Sequence, residues 1–527
     1  MGINFRKIFN QAQTPQSEAI PGSTQVPNSA GGHAWRLDDW ARLDRFLILG
    51  TEGGSYYASE RALTRDSAAA VERVIQQDGQ RVVQRIVEIS VEGRAPKNDP
   101  AIFALAMAAK LGDFETRRAA HAALPRVART GTHLMHFASW LELFGGWGRG
   151  SRHAVARWFN DKSAAALAYQ AVKYQARDGW SLRDLLRLSH PRAASAEHQA
   201  VYRWIADGVL EPPVAEALAV IDAFEHGKYV GSVSEMAALV REHDLPREAV
   251  PTQWLAEPLV WEALLERMPM TAMIRNLATM TKVGLLRPLS TATKTVVARL
   301  GDAERLRQAR IHPIAVLAAL KTYESGRSVK GQSEWKKVPA IVDALDEAFY
   351  QTFRVLEPSG ERTLLALDVS GSMECGVVAG VPGLTPRVAA AAMALVTAAV
   401  EPQHAFVAFS TELIELDISP KLRLDKVVRM TSGMPFGGTD CAQPMIWAQR
   451  RKIQVDKFVV YTDSETWAGS VHPVQALRAY RKATGIAAKL VVVGMVANGF
   501  TIADPDDAGM LDVVGFDTAT PEVISRF

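Results

Sequence analysis

Two textures of apolar and polar positions divide the chain. From Trp35 to about Phe353, alanine and leucine recur at spacings of three and four residues between short Gly and Pro breaks. That period predicts amphipathic helices at 66–91, 100–110, 115–128, 132–144, 151–158, 163–176 and 181–189. Short links between them predict antiparallel helix pairs stacked as a HEAT-like solenoid, although no crisp repeat consensus recurs. From residue 361 the texture changes. Apolar runs suited to buried parallel strands, at 363–369, 404–410, 457–462, 489–495 and near 511–516, alternate with helical stretches at 386–400, 441–451 and 474–483. Thr385 before Pro386 is an N-cap and first-turn pair. The alternation predicts a doubly wound α/β sheet with helices on both faces. The expected division is a flexible N-terminal arm (1–30), poor in apolar period and rich in Gln, Ser, Pro and Gly, then a helical-repeat domain (31–360), then an α/β domain (361–527). The polar turn EPSGER sets the second boundary at 355–361.

At 527 residues the chain exceeds what one core serves, which agrees with that division. No long uncharged apolar run and no signal-peptide pattern occur, so a cytoplasmic protein without a membrane partner is expected. The two cysteines, Cys375 and Cys441, exclude a disulfide framework and cysteine-rich zinc sites. Both flank the loops described next, as a redox pair or as two semi-buried thiols.

Those loops carry the first candidate chemistry. The run TLLALDVSGSM (363–373) ends in Asp368, Ser370 and Ser372 at alternate positions, with Gly371 to turn the chain. FGGTD (436–440) presents Thr439 ahead of a helix, and KFVVYTDSE (457–465) ends a strand at Asp463. Ligands of open α/β sheets sit outside the carboxyl ends of strands. Hard oxygen donors there suit Mg²⁺ or Mn²⁺ better than zinc. The alternative is a strand-to-helix loop capped by ordinary hydroxyls.

Charge supplies the second. The formal net charge is +3, yet residues 110–200 hold 14 basic against seven acidic side chains, and six of the twelve histidines. The excess points to a polyanion partner or to a solvated basic face. Within YQAVKYQARDGWSLRDLLRLSHP (169–191), Lys173 and Arg177 share one helix face by their spacing. Ser181 with Asp184 forms a capping box, and Arg183 and Arg187 share the next face while Leu182, Leu185 and Leu186 are buried. His190 lies at the following turn. Cations in rows on rigid elements suit phosphate contact. Equally, the arginines could pair with a neighbouring helix and His190 could cap a helix end.

KYQARDGWSLRDLLRLSHP resembles the signature of the Ro autoantigen family, whose members join a TROVE domain to a von Willebrand factor A domain. TEGGSYYASE (51–60), ARTGTHLMHF (128–137), MIRNLATMTKVG (273–284), ARIHP (309–313), LDVSGSM (367–373), FGGTDCAQPMIWAQ (436–449), YTDSETWAGSVHP (461–473) and FTIADPDDAGMLDVVGFD (500–517) are similar to the same family. The resemblance covers the chain from about residue 31. It implies a closed ring of helical repeats whose ends the von Willebrand domain bridges. It also implies a metal-ion-dependent adhesion site, in which Ser370, Ser372 and Thr439 meet a divalent ion, Mg²⁺ by expectation, and Asp368 and Asp463 act through water. Small noncoding Y-type RNA would bind the outer surface through Lys173, Arg177 and His190. Single-stranded 3′ ends of misfolded RNAs would enter the central hole, with a 3′-to-5′ exoribonuclease as partner of a monomeric ring. Gly371 and Leu182 depart from the residues common in relatives, and Leu182 removes a possible phosphate donor. The sequence contains no Ser/His/Asp order, HExxH, P-loop or paired acids for two metals, so a non-catalytic RNA-binding scaffold is expected. The alternative is a metal-dependent protein-interaction scaffold without RNA.

Overall fold

The computed structural model describes residues 13–50, 60–211, 215–328, 333–353, 357–378, 384–432, 434 and 437–527, leaving aside the side chains of 60–65, 428 and 432. TEGGSYYASE and Phe436 therefore fall outside the described residues, save for the backbone of Glu60.

The stretch with helical period is helical. Helices run from Asp39–Leu49 through Glu60–Glu92, Asp99–Leu111, Phe114–Val127 and Gly131–Leu143 to Pro313–Ser325 and Pro339–Gln351. The long second helix is bent at Asp78 (φ −153°). There the Asp78 carboxylate accepts the Arg81 amide at 3.1 Å and caps the second half.

The strands are short. Val26–Pro27 (β1) and His33–Arg36 (β2) pair antiparallel near the N-terminus, and Ala176–Arg177 (β3) with Trp180–Ser181 (β4) forms a hairpin. Thr363–Asp368 (β5), His404–Phe409 (β6), Leu413–Leu416 (β7), Lys457–Thr462 (β8), Lys489–Gly494 (β9) and Met510–Val514 (β11) form one sheet in the order β11-β9-β8-β5-β6-β7. All its pairings are parallel except β6 with β7, an edge strand with half-exposed residues that the search for apolar runs does not find. β5 is buried along its whole length. Leu365 and Leu367 join the core shared with the helical region, and Leu364 and Ala366 join a second core on the opposite face, as the two-residue period requires.

Residues 13–36 are anchored, which corrects the expectation of a flexible arm as far as they go. β2 also pairs with Phe500–Thr501 (β10) of the α/β domain. Ile20 and Trp35 belong to the second core, and Gln16 is fully buried, donating to Asp440 at 2.7 Å and to the Val471 carbonyl at 2.8 Å. The two-residue β1 and β10 have no period to read, and β2, which joins them, pairs with β10 more than 400 positions away, so pairing decides their conformation.

The helical run closes on itself. Arg310 donates to the Val91 carbonyl at 2.6 Å, and His312 Nε2 lies 2.7 Å from the Phe516 carbonyl and 3.1 Å from that of Arg94. Arg94 in turn pairs with Asp517 of the α/β domain. At the C-terminal end of the run, the Leu424 amide donates to Asp346 at 2.8 Å, and Arg423 pairs with Asp343. Arg45, 1% exposed, holds Asp512 through Nη2, which donates to both carboxylate oxygens at 2.9 and 3.0 Å. Both ends of the helical run thus grip the α/β domain.

This seam should be acid-sensitive. Burial pulls His312 down from 6.5 to about 4. Its ring stays neutral, accepting the Ile314 amide at Nδ1 (3.1 Å) and donating at Nε2. An unfolded histidine titrates near 6.5, so the seam's stabilisation is complete above that pH and is lost as pH falls toward 4, by up to about 3 kcal/mol. The thermal midpoint is expected to drop between pH 7 and pH 5. His312→Gln should lower it at pH 7 and make the acid slope shallower, retaining the part due to His121 and His133, which burial holds near 4 and 3. An unchanged slope in the variant would place the acid sensitivity elsewhere.

Candidate metal site and nucleic-acid surface

Three loops converge at the carboxyl ends of β5 and β8, beside the point where the chain order of the sheet reverses. Asp368, Ser370, Ser372, Thr439 and Asp463 are all buried there, none more than 2% exposed. Asp368 accepts the Ser370 amide at 2.9 Å and the Thr462 hydroxyl at 2.6 Å. The Ser370 and Ser372 hydroxyls lie 3.1 Å apart. Gly371 opens a 3₁₀ turn, Gly371–Glu374, without the positive φ that would demand glycine. Thr439 is fixed through its carbonyl, which accepts the Trp467 and Ala468 amides at 3.0 Å each. Gly438 before it cannot carry a side chain, because a Cβ there would come within 2.7 Å of the Trp467 ring.

Two oxygens of this cluster, Thr439 Oγ1 and Asp463 Oδ2, are buried without a hydrogen-bond partner. Leaving such atoms unpaired is costly. Burial, and then the neighbouring Asp463 carboxylate, push Asp368 up to about 7, and burial also raises Asp463. The two buried carboxylates have no ion pair among the described residues and an unpaired oxygen beside them, and the donor set fits a hard divalent cation. Among the described residues no group of three or more His, Cys, Asp or Glu converges as a metal centre, so a cation held here would draw most of its ligands from hydroxyls. Both cysteines are free thiols. Cys441 is buried beside Thr462 and Cys375 is half-buried, and burial raises both above the ordinary thiol range.

Several residues that build this site carry no sequence signal. Arg387, 1% exposed, donates to the Val369 carbonyl at 2.6 Å and lies 3.1 Å from Glu374, so it ties down the DxSxS loop. Glu465 accepts the Ser29 and Ala30 amides of the N-terminal segment, and Gln16 bonds Thr466 and Asp440. The anchored arm therefore braces the loops bearing Thr439 and Asp463.

The basic surface differs from its expected form in one respect. The helix Ala164–Lys173 stops at Lys173, so Lys173 and Arg177 do not share a helix face. Asp178 (φ 51°) and Gly179 (φ 79°) make a two-residue turn with both φ positive, which requires paired strands on either side and draws 176–177 out of the helix. Arg177 stands exposed on this hairpin, 3.8 Å from Asp178, whose carboxylate also bonds His136. Lys173 Nζ lies 5.4 and 5.5 Å from the ring centres of Tyr169 and Tyr174, with no carboxylate paired to it among the described residues.

The capping box at Ser181 and Asp184 forms, and Leu182 is 3% exposed in the core, so that position faces inward. Arg183 donates to the Ile205 carbonyl at 3.3 Å and Arg187 to that of Ala206 at 3.2 Å. Both therefore partly satisfy the end of the helix Ala196–Asp207. His190 is exposed and takes the left-handed conformation (φ 46°) that ends the helix Leu182–Ser189. Lys173, Arg177 and His190 thus stand on one hairpin-and-helix unit, with the two arginines half committed to packing.

The Ro60 vWA domain family matches residues 362–527, and the TROVE domain family matches residues 26–212 and 242–322. The chain is 44% identical over 526 residues to the RNA-binding protein RO60 of Deinococcus radiodurans, covering 99% of both chains. The chain belongs to the Ro60 family. It is also 36% identical to the RNA-binding protein RO60 of Caenorhabditis elegans, over 95% of this chain and 90% of that protein. The crystal structure of the Deinococcus radiodurans RO (RSR) protein superposes with a TM-score of 0.71 at 45% identity, covering 93% of this chain and 99% of the other. The TROVE matches take in the hairpin and both ends of the helical seam, and the vWA match takes in all three loops of the candidate site. No helix among the described residues is long and apolar enough to cross a membrane.

Proposed function

We propose that this chain is the RNA-binding ring protein of a small ribonucleoprotein. Lys173, Arg177 and His190, with Arg183 and Arg187 beside them, hold a small noncoding Y-type RNA on the outer surface. The ring's hole takes single-stranded 3′ ends of misfolded or immature RNAs, in noncoding-RNA quality control with a 3′-to-5′ exoribonuclease. The protein acts as a cytoplasmic monomer, and we assign it no catalytic step.

One observation carries the reading. On a chain whose full-length relatives are named RNA-binding proteins, an exposed Arg177 and a Lys173 without a carboxylate partner among the described residues stand together on a rigid unit. Exposed cations on a fixed scaffold suit phosphates.

The metal site belongs to the same proposal. Ser370, Ser372 and Thr439 would hold one Mg²⁺ ion, with Asp368 and Asp463 acting through water. The ion would supply a positive charge able to take a partner's carboxylate. Its support is the pair of buried, partnerless oxygens on Thr439 and Asp463. The same pair favours a second reading, a metal-dependent protein-interaction scaffold without RNA, which the absence of RNA from natively purified protein would select.

Competition titrations test the hole. A duplex with a single-stranded 3′ tail should bind better than the same duplex with a blunt end. The slope of log affinity against log salt should be about −2 to −4, from roughly −0.7 per phosphate over three to five contacts. Equal affinity for both duplexes, or a slope near zero, would contradict entry of single strands.

A further inference from the structure

The seam that closes the helical run encloses a cavity of about 430 Å³, lined on one side by the Ala95–Lys97 turn and on the other by the helices Met270–Lys282 and Pro313–Ser325. That volume lies within the range of small-molecule sites, about 300 to 1,000 Å³. Its floor is apolar, with Ile274, Leu277 and Ala318 among the lining residues, and its cations are Lys97, Arg275 and Arg310. Among the described residues no Asp or Glu lines it. The histidine in the lining, His312, is already committed to the Phe516 carbonyl and the Ile314 amide.

The surrounding charges do not neutralise Arg275 and Arg310. Arg94, an arginine of the seam, pairs with Asp517 and Glu88. Arg129 bonds Ser90 and the Arg126 carbonyl, and burial together with the Arg310 charge lowers it to about 10. Arg310 has its Nε on the Val91 carbonyl, which leaves its charge uncompensated. Arg275 is exposed, with no ion pair among the described residues.

An apolar floor beneath two arginines that have no carboxylate partner among the described residues calls for an anion with a flat apolar body. Arginine suits phosphate through its forked donors, and a base suits the floor through its face. We infer that this cavity is a binding site for a phosphorylated nucleoside, with the base on the Ile274–Leu277–Ala318 floor and the phosphate between Arg275 and Arg310. The nucleoside is either a free mononucleotide or the terminal nucleotide of a single strand. The second source rests on the single-strand reading given above, and the first does not.

Calorimetric titration of the full-length protein with adenosine 5′-monophosphate tests the site. The nucleotide should bind, with adenosine and inorganic phosphate each at least about tenfold weaker, since each lacks half of the recognition. Arg275→Gln removes an exposed cation and should cost about five- to tenfold in nucleotide affinity. Ala315→Trp starts from an exposed position of the lining, fills the cavity and should abolish binding while leaving the fold intact. A single-stranded hexa-adenylate distinguishes the sources: displacement of the mononucleotide assigns the site to a strand end, and failure to displace it assigns the site to the free nucleotide. Absence of nucleotide binding in the millimolar range, or affinity unchanged in both variants, would overturn the inference. Structured-RNA binding through Lys173 and Arg177 would remain untouched by that outcome, so the two readings fail separately.

Discussion

Replacing Lys173 and Arg177 together by alanine is expected to weaken binding of the native small RNA by about 10- to 100-fold at moderate salt, as removal of two charge-assisted hydrogen bonds to phosphate implies. The salt dependence should flatten by about two in the slope of log affinity against log salt, close to 0.9 for each phosphate no longer neutralised. Folding should be unaffected. Arg177 is 61% exposed and its acidic neighbour Asp178 is 3.8 Å away, while Lys173 touches tyrosines, so neither side chain supports much stability. Arg183→Ala with Arg187→Ala offers the contrast. Those side chains hold the carbonyl end of the helix Ala196–Asp207, and their removal should lower the thermal midpoint as well as RNA affinity. A filter-binding titration at two salt concentrations, run beside a melting curve, measures both effects. Normal RNA binding by the Lys173/Arg177 variant would move the interface elsewhere on the ring.

The second large effect is on the metal loops. With Mg²⁺ at about 100 times its dissociation constant, a site present only in the folded protein adds about 2.7 kcal/mol. That should raise the melting midpoint by several degrees. Thr439→Val should abolish this response. In EDTA the same variant should be at least as stable as the parent, because the Thr439 hydroxyl is buried without a partner and its removal relieves an unsatisfied group. A hydroxyl with a purely structural role gives the opposite pattern, a loss of stability in EDTA as large as in Mg²⁺. Scanning calorimetry of both proteins in both buffers separates the two.

The parts of this site that could be read from the chain are those with a local signal. β5 and β8 are continuous buried runs because both faces of the sheet are covered; β5 ends at Asp368 and β8 runs directly into Asp463. Asp178-Gly179 marks a break in the helical period, but the hairpin it nucleates shortens the preceding helix by three residues, to end at Lys173. The bracing of the site was not legible. Gln16, Asn28 and the Ser29 amide reach Thr466, Asp440 and Glu465 across more than 420 positions, and nothing in a polar, Pro-rich segment states where it will dock. Arg387 reads as a helix-surface cation, and only its place under the DxSxS loop buries it. The seam at Val91, Arg94, Arg310 and His312 is likewise a product of closure, which a period of three to four residues cannot encode.

Ultraviolet crosslinking of the ribonucleoprotein purified from native cells, followed by mass spectrometry of the crosslinked peptides, tests the central claim most directly. RNA adducts are expected on the segment from Tyr169 to Pro191, concentrated on the hairpin and on His190, with a small structured RNA as the crosslinked species. Recovery of the protein without RNA, or adducts confined to surfaces remote from that segment, would contradict it.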